Sequence, residues 1–560
     1  MSKHPCRPTL RPWIPACLLL LGACAAGPAP NEAAPPRDSQ SLLAEGDSAL
    51  QRGELPAAAR AYRLAAEASA DERVAEQAAT MAFSHFQWSE SLLAAERWLE
   101  INPTSEQARH YAAGSALALH RLDAAESRAA ELVEAGFISP AAGFLALLPE
   151  FSATATAPDV TELFRRLAGR YPGLAEAQLA LGSAALRSEN FALAVESATR
   201  ARAVAPYWMP PRMLEARARI AAGDEETGLA IARDSVMAPE ADISTHLEYA
   251  ALLSATGRDE EARAMLTPYV TGETVIPGAL YTLGMLELQQ DRVEVAESLF
   301  QQLLSTGAQS YDALYFLGVI AEKRGDEEAA LRYFSRVEDG GRALSARQRV
   351  AAISAERDGV EAGLGQLEEF AATQPELAPE IVAAQAGLLS SLGEDERALA
   401  TLDAGVARFP DSLDLRLARV FLLERSRRID EAIRDLRELL ARRPGDAMVQ
   451  NALGYTLADH GRSLDEAREL IASALEQMPD SAAVLDSMGW VLFRQGLLAD
   501  SLRYLERASS LGSDPELELH LGEVQWAMGR EGEARRTWAE ALERHPGNER
   551  LEQRLEQAGP

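Results

Sequence analysis

The chain has 560 residues, with 85 Asp and Glu against 55 Lys and Arg, a formal charge of −30. That balance argues against recognition of nucleic acid or anionic lipid head groups through a basic face, and it suits basic protein partners. The only cysteines are Cys6, Cys17 and Cys24, so no disulfide framework or thiolate metal site can extend through the chain.

The first element is a targeting segment. Lys3, Arg7 and Arg11 form a basic start, and Ile14 to Leu21 is an apolar run too short to span a bilayer. It leads into Leu21-Gly22-Ala23-Cys24, which resembles the lipobox of bacterial lipoproteins. The resemblance implies a signal peptide at 1–23, cleavage before Cys24, and lipid attachment at that thiol. Several acyl chains would exceed the two-signal minimum for a stable anchor. Ala25 stands where such signals carry Asp for inner-membrane retention, so the expected location is the periplasmic face of the outer membrane. Losing three basic residues takes the charge from −30 to −33. Residues 24–39, with Pro28, Pro30, Pro35 and Pro36, read as the lipidated Cys followed by a semi-extended tether.

Repeats follow. In residues 40–172 they are divergent: Gly46, Gly53, Ala58 and Tyr62 mark a first unit, Ser91 with Pro103 and then Ala125 mark two more, and Val160 to Arg170 is a further helix. In residues 173–547 they are regular. Small residues recur from Ala194 through Gly228, Ala262, Ala296 and Ala330, each 34 residues on, and continue through Gly363, Ala398, Ala432, Ala467, Ser501 and Ala534. A glycine series (Gly182, Gly284, Gly318, Gly454, Gly489, Gly522) runs twelve or thirteen residues ahead of members of the first. Small residues let two antiparallel helices approach, turn glycines supply left-handed backbone angles, and prolines such as Pro444 and Pro479 end the second helix. A 34-residue helix-turn-helix unit with these marks resembles the tetratricopeptide repeat. The predicted fold is all-α, a superhelical solenoid of about 13–15 helix pairs, with residues 548–560 as a polar capping helix.

The stretches Asn451 to Gly461, Val484 to Gly496 and His520 to Arg530 resemble the C-terminal signature of a proteobacterial family of repeat lipoproteins. The best-understood type of that family binds a periplasmic carboxyl-terminal processing protease. The resemblance implies an adaptor that holds such a protease and presents protein substrates such as peptidoglycan hydrolases. The alternative is a scaffold for assembling a cell-wall synthesis, outer-membrane or secretion complex. In such solenoids the first helix of each pair lines the concave face. Counting from the repeat glycines places Asn451, Tyr455, Asp486, Trp490, Phe493, Glu523 and Trp526 there, with Arg494 at the border. Aromatics and Arg beside carboxylates are the composition of binding hot spots. Trp490 and Arg494, one helical turn apart, are expected to grip a partner together.

No catalytic motif is present in the sequence. No His precedes a Glu, no Lys follows a Gly-rich loop, and there is no Gly-x-Ser-x-Gly elbow. His246, His460 and His520 fall in three different repeats without a metal-ligand spacing. The expectation is a binding protein with no cofactor, no metal and no small-molecule substrate.

Overall fold

The computed structural model describes residues 38–135, 138–272 and 274–559. The expected signal peptide, Cys24 and nearly all of the tether therefore lie outside the described residues. Among those described there are 31 α-helices, numbered α1 (Ser39–Gln51) to α31 (Glu549–Ala558) in chain order, and no strand. Consecutive helices pair off, so α1 to α30 make fifteen repeats and α31 closes the array. The chain is a tetratricopeptide-repeat solenoid, as its periodicity predicts.

Helix α24 (Ile429–Arg442) shows why each element forms. Ala432, Ile433, Leu436 and Leu439 make one buried stripe, Asp430 and Glu431 occupy the first turn, and Arg442 occupies the last. The stripe gives the helix a face to bury, and the charges oppose its dipole. Pro444 and then Gly445, at φ 87°, stop it. Asp446 starts α25 (Ala447–Asp459) by accepting from the N–H groups of Met448 and Val449 at 3.0 and 3.2 Å.

The two small-residue series have a common cause. In the repeat of α17 (Ser310–Lys323) and α18 (Glu327–Phe334), Ala330 is fully buried where the helices cross. A Cβ on Gly318 would lie 2.6 Å from the Phe334 ring, so the glycine makes room for the aromatic. Ser501, the hydroxyl in the first series, donates to the Gly489 carbonyl at 2.7 Å. Ala330→Leu should overpack its crossing by about 1–3 kcal/mol. The loss of hydrogen-exchange protection should stay within that repeat and its neighbours, as in a nearest-neighbour array.

The core is correspondingly a row of apolar clusters along the array and not one centre. From α9 (Ala175–Arg187) onward, most successive odd-numbered helices touch one another, as α25 does α27 (Ala482–Arg494), and successive even-numbered ones do not to the same extent. That shorter spacing puts the odd helices on the inside of the curve.

The superhelix also closes on itself. Turns within early repeats meet turns between late ones. Gln87 Nε2 donates to the Arg408 carbonyl at 2.9 Å, across 321 residues of sequence, and the Ser89 N–H donates to Asp411 at 2.9 Å. The Phe86 ring meets Phe409 edge-on at 6.0 Å. Leu55 packs into the same late cluster as Leu389 and Leu413. Further along, the Asp480 N–H donates to the Glu189 carbonyl at 3.1 Å, and the Phe191 N–H donates to Asp480 at 3.0 Å. Phe86, His120 and Glu189 hold φ of 57°, 59° and 55° in turns where other repeats place glycines such as Gly223 and Gly496. Left-handed angles cost a side-chain-bearing residue about 1–3 kcal/mol. At these three turns the strained residue itself makes the seam contact.

Candidate partner-binding face

The sequence pattern places eight residues on the inner face of the C-terminal repeats, and the structure sorts them into two groups. Asn451, Tyr455 and Asp486 line a cleft of about 650 Å³ between α23 (Leu413–Arg425), α25, α27 and α29 (Pro515–Ala527). Of the other five, Trp490, Arg494, Glu523 and Trp526 meet neighbouring repeats or the terminal helix.

Trp490 lies flat on His520 of the next repeat, 4.0 Å between ring centroids, and its Nε1 donates to Asp459 of the preceding one at 3.1 Å. Phe493, further along the same helix, stacks on Trp490 at 5.0 Å. Arg494 donates to the Asp459 carbonyl oxygen. Trp490 and Arg494, expected to grip a partner together, thus both also make contacts between repeats. Their spacing sets the helix face, and the neighbouring Asp459 and His520 decide what meets it. Glu523 and Trp526 are likewise engaged by the terminal helix, where Arg554 pairs with Glu523 and stands 5.3 Å over the Trp526 ring.

The cleft has both apolar and acidic lining. Phe421 and Met448 offer the apolar part, and Phe421 is 63 % exposed. Glu424, Asp486 and Glu516 face inward, and Glu189, brought over by the seam, supplies part of the wall. Tyr455 Oη donates to Glu516 at 2.8 Å, and Arg550 of α31 reaches the same oxygen at 2.9 Å. Burial pushes Glu516 up, but the Arg550 and Tyr455 hydrogen bonds outweigh it and hold it below the usual range. Burial pushes Asp486 up even though His520 donates to it at 2.9 Å. Glu424 is also raised, by burial first and then by the charges of Asp459 and Glu516, against a Thr456 hydrogen bond. Tyr455 is held protonated by burial and by the surrounding carboxylates. The Asn451 Oδ1 has no hydrogen-bond partner among the described residues. Phe421, Met448, Glu424 and Glu189 escape sequence reasoning. Phe421 and Glu424 lie on a helix with Val420 where other repeats carry the reference glycine, and Met448 falls on the inner-face spacing one turn ahead of Asn451. Glu189 arrives only through the seam.

A buried ionic network fastens that seam. Asp159, only 2 % exposed, pairs with His120 Nδ1 at 2.6 Å and accepts from Arg443 Nη2 at 3.1 Å. Arg443 Nε donates to Asp446 at 2.6 Å, and another guanidinium N–H donates to the Ala118 carbonyl. His120 Nε2 lies 3.0 Å from the Pro444 carbonyl. His120, Asp159 and Asp446 thus offer ligand-type atoms within 4.8 Å of one another, a grouping that sequence spacing hides. The Arg443 guanidinium bonds both carboxylates and the imidazole uses both nitrogens, which makes the group a salt-bridge network.

Burial pulls the His120 pKa down, but the Asp159 hydrogen bond and the Asp159 and Asp446 charges outweigh burial and Arg443, and it stands above its ordinary 6.5. With both nitrogens facing acceptors, the imidazolium is the favoured form. A raised pKa contributes stability that is complete below 6.5 and is lost as pH rises through the folded value. The seam should therefore loosen as pH rises above 6.5, read as falling hydrogen-exchange protection factors at 118–121 and 443–446. His120→Gln should flatten that dependence.

Three segments, residues 281–344, 415–482 and 487–549, match the sequence profile of the tetratricopeptide-repeat family. A TPR repeat-containing protein of Pseudomonas aeruginosa is 30% identical over 213 residues, which is 38% of this chain and 36% of that protein. Among solved structures, yeast Tom70 aligns over 93% of this chain and 94% of its own at 13% identity, with a TM-score of 0.32. A thermophilic TPR protein from Thermus thermophilus aligns over 32% of this chain and 98% of its own at 22% identity, with a TM-score of 0.30.

Proposed function

The chain is a tetratricopeptide-repeat protein, and from that premise we infer that it holds other proteins and does not turn over a substrate. We propose that it is a lipid-anchored adaptor on the periplasmic face of the outer membrane, tethered through Cys24. Its partner would be a carboxyl-terminal processing protease, to which it presents substrates such as peptidoglycan hydrolases. The observation that carries the reading is the cleft on the inner face of α23 to α29, which falls where the family-like stretches Asn451 to Gly461 and Val484 to Gly496 lie.

The test is affinity capture from envelopes that contain a catalytically inactive processing protease. The proposal expects the protease and a wall hydrolase to be retained together. Retention of assembly or secretion components without the protease would favour the scaffold alternative and overturn this reading. The anchor is tested separately, since Cys24→Ser should abolish incorporation of labelled palmitate. Equal labelling of variant and wild type would contradict it.

A further inference from the structure

The lining of the cleft states what kind of segment fits it. Its carboxylates are Glu189, Glu424, Asp486, Asp514 and Glu516, and no Lys, Arg or His lines it. Asp486, Asp514 and Glu516 are occupied by His520, the start of α29 and Arg550 respectively. Glu189 and Glu424 have no cationic partner among the described residues, and Glu424 is raised by its burial beside other carboxylates. A partly buried carboxylate without a counter-charge is a costly arrangement, and a cation entering the cleft would relieve it.

The apolar lining is equally incomplete. Phe421, at 63 % exposed, and Met448 stand in a concavity with nothing over them. Concave apolar surface with a few placed polar groups is the usual form of a recognition site. Asn451 also lines the cleft with its Oδ1 unpartnered, and a small turn of its amide would offer it to the main chain of a bound segment.

We propose that this cleft takes an extended protein segment in which a Lys or Arg stands next to bulky apolar side chains. The cation lies against Glu424 and Glu189, and the apolar side chains cover Phe421 and Met448. Charge complementarity identifies the occupant, in a chain whose formal charge is −30. The inference rests on the protein-binding reading but not on the identity of the protease. Because Glu189 reaches the cleft through the seam contacts with Asp480, closure of the superhelix completes the site.

The test uses the purified protein and three fluorescein-labelled nonapeptides. One has Gly-Ser ends around Leu-Lys-Phe-Arg-Leu, a second has Glu in place of Lys and Arg, and a third has Ser in place of Leu and Phe. The first should bind at least ~10-fold more tightly than either other, with an affinity that falls as salt rises. Glu424→Gln combined with Glu189→Gln should weaken it ~5-fold or more with an unchanged thermal melt, and Phe421→Ser should do the same. Equal binding of the three peptides, no binding of the first, or variants indistinguishable from wild type would overturn the proposal. Peptide selectivity with no protease capture would leave this inference standing and remove the adaptor reading. Protease capture without selectivity would do the reverse.

Discussion

Asp159→Ala should open the superhelix. The Asp159 carboxylate is the shared acceptor for His120 and Arg443, and both of those side chains are themselves nearly inaccessible. Removing it leaves an imidazolium and a guanidinium enclosed with only Asp446, the Ala118 carbonyl and the Pro444 carbonyl for company. Removing one member of a buried ionic set costs about 3–5 kcal/mol because the remaining charge has lost its compensation. The apolar seam contacts of Phe86 and Leu55 lie at other turns and do not compensate these charges. Hydrogen exchange should rise at 86–89, 118–121 and 443–446, while helices within each repeat keep their protection. Small-angle scattering should show a larger radius of gyration. An unchanged radius with uniform destabilisation would mean that the network serves local folding only.

Trp538→Ala should release the C-terminal end. Trp538, the largest fully buried side chain, lies over Gly522, where a Cβ would come within 2.0 Å of its Nε1. Its Nε1 donates to the Leu519 carbonyl at 3.2 Å, and Arg554 of the terminal helix stands 4.5 Å over the ring. The substitution leaves a cavity and costs about 3–5 kcal/mol. Because each repeat relies on its neighbours, the damage should reach α29, α30 (Glu531–Arg544) and α31 and fade before α25. A melt confined to residues 515–558 in exchange data checks the prediction.

What could be read from the sequence follows the range of the contacts. Ala330, Gly318 and Pro444 recur at a fixed spacing because every repeat solves the same local problem of two helices crossing and a third following. Their pattern therefore predicts fold and repeat boundaries directly. The seam joins residues hundreds of positions apart and leaves no periodic trace. Phe86, His120 and Glu189 stand where several repeats carry a turn glycine, but so do Asp291 and Arg427 away from the seam, so the missing glycine does not mark it. The inner face is half legible. Helical spacing selects Asn451, Tyr455 and Trp490 alike, but only the arrangement of Asp459 and His520 decides that Trp490 is consumed between repeats. Phe421 reads in sequence as an ordinary apolar helix residue, and its exposure appears only once the helices are assembled.

The central claim is that this protein works by holding a partner segment in the cleft between α23 and α29. Site-specific photo-crosslinking in intact envelopes tests it most directly. A benzophenone amino acid at position 421, inside the cleft, is compared with one at Tyr207, an exposed residue outside it. The claim predicts discrete protein adducts from 421 that are absent from 207 and are lost when Glu424 and Glu189 are both changed to Gln. Identical adducts from the two positions, or none from 421, would contradict it.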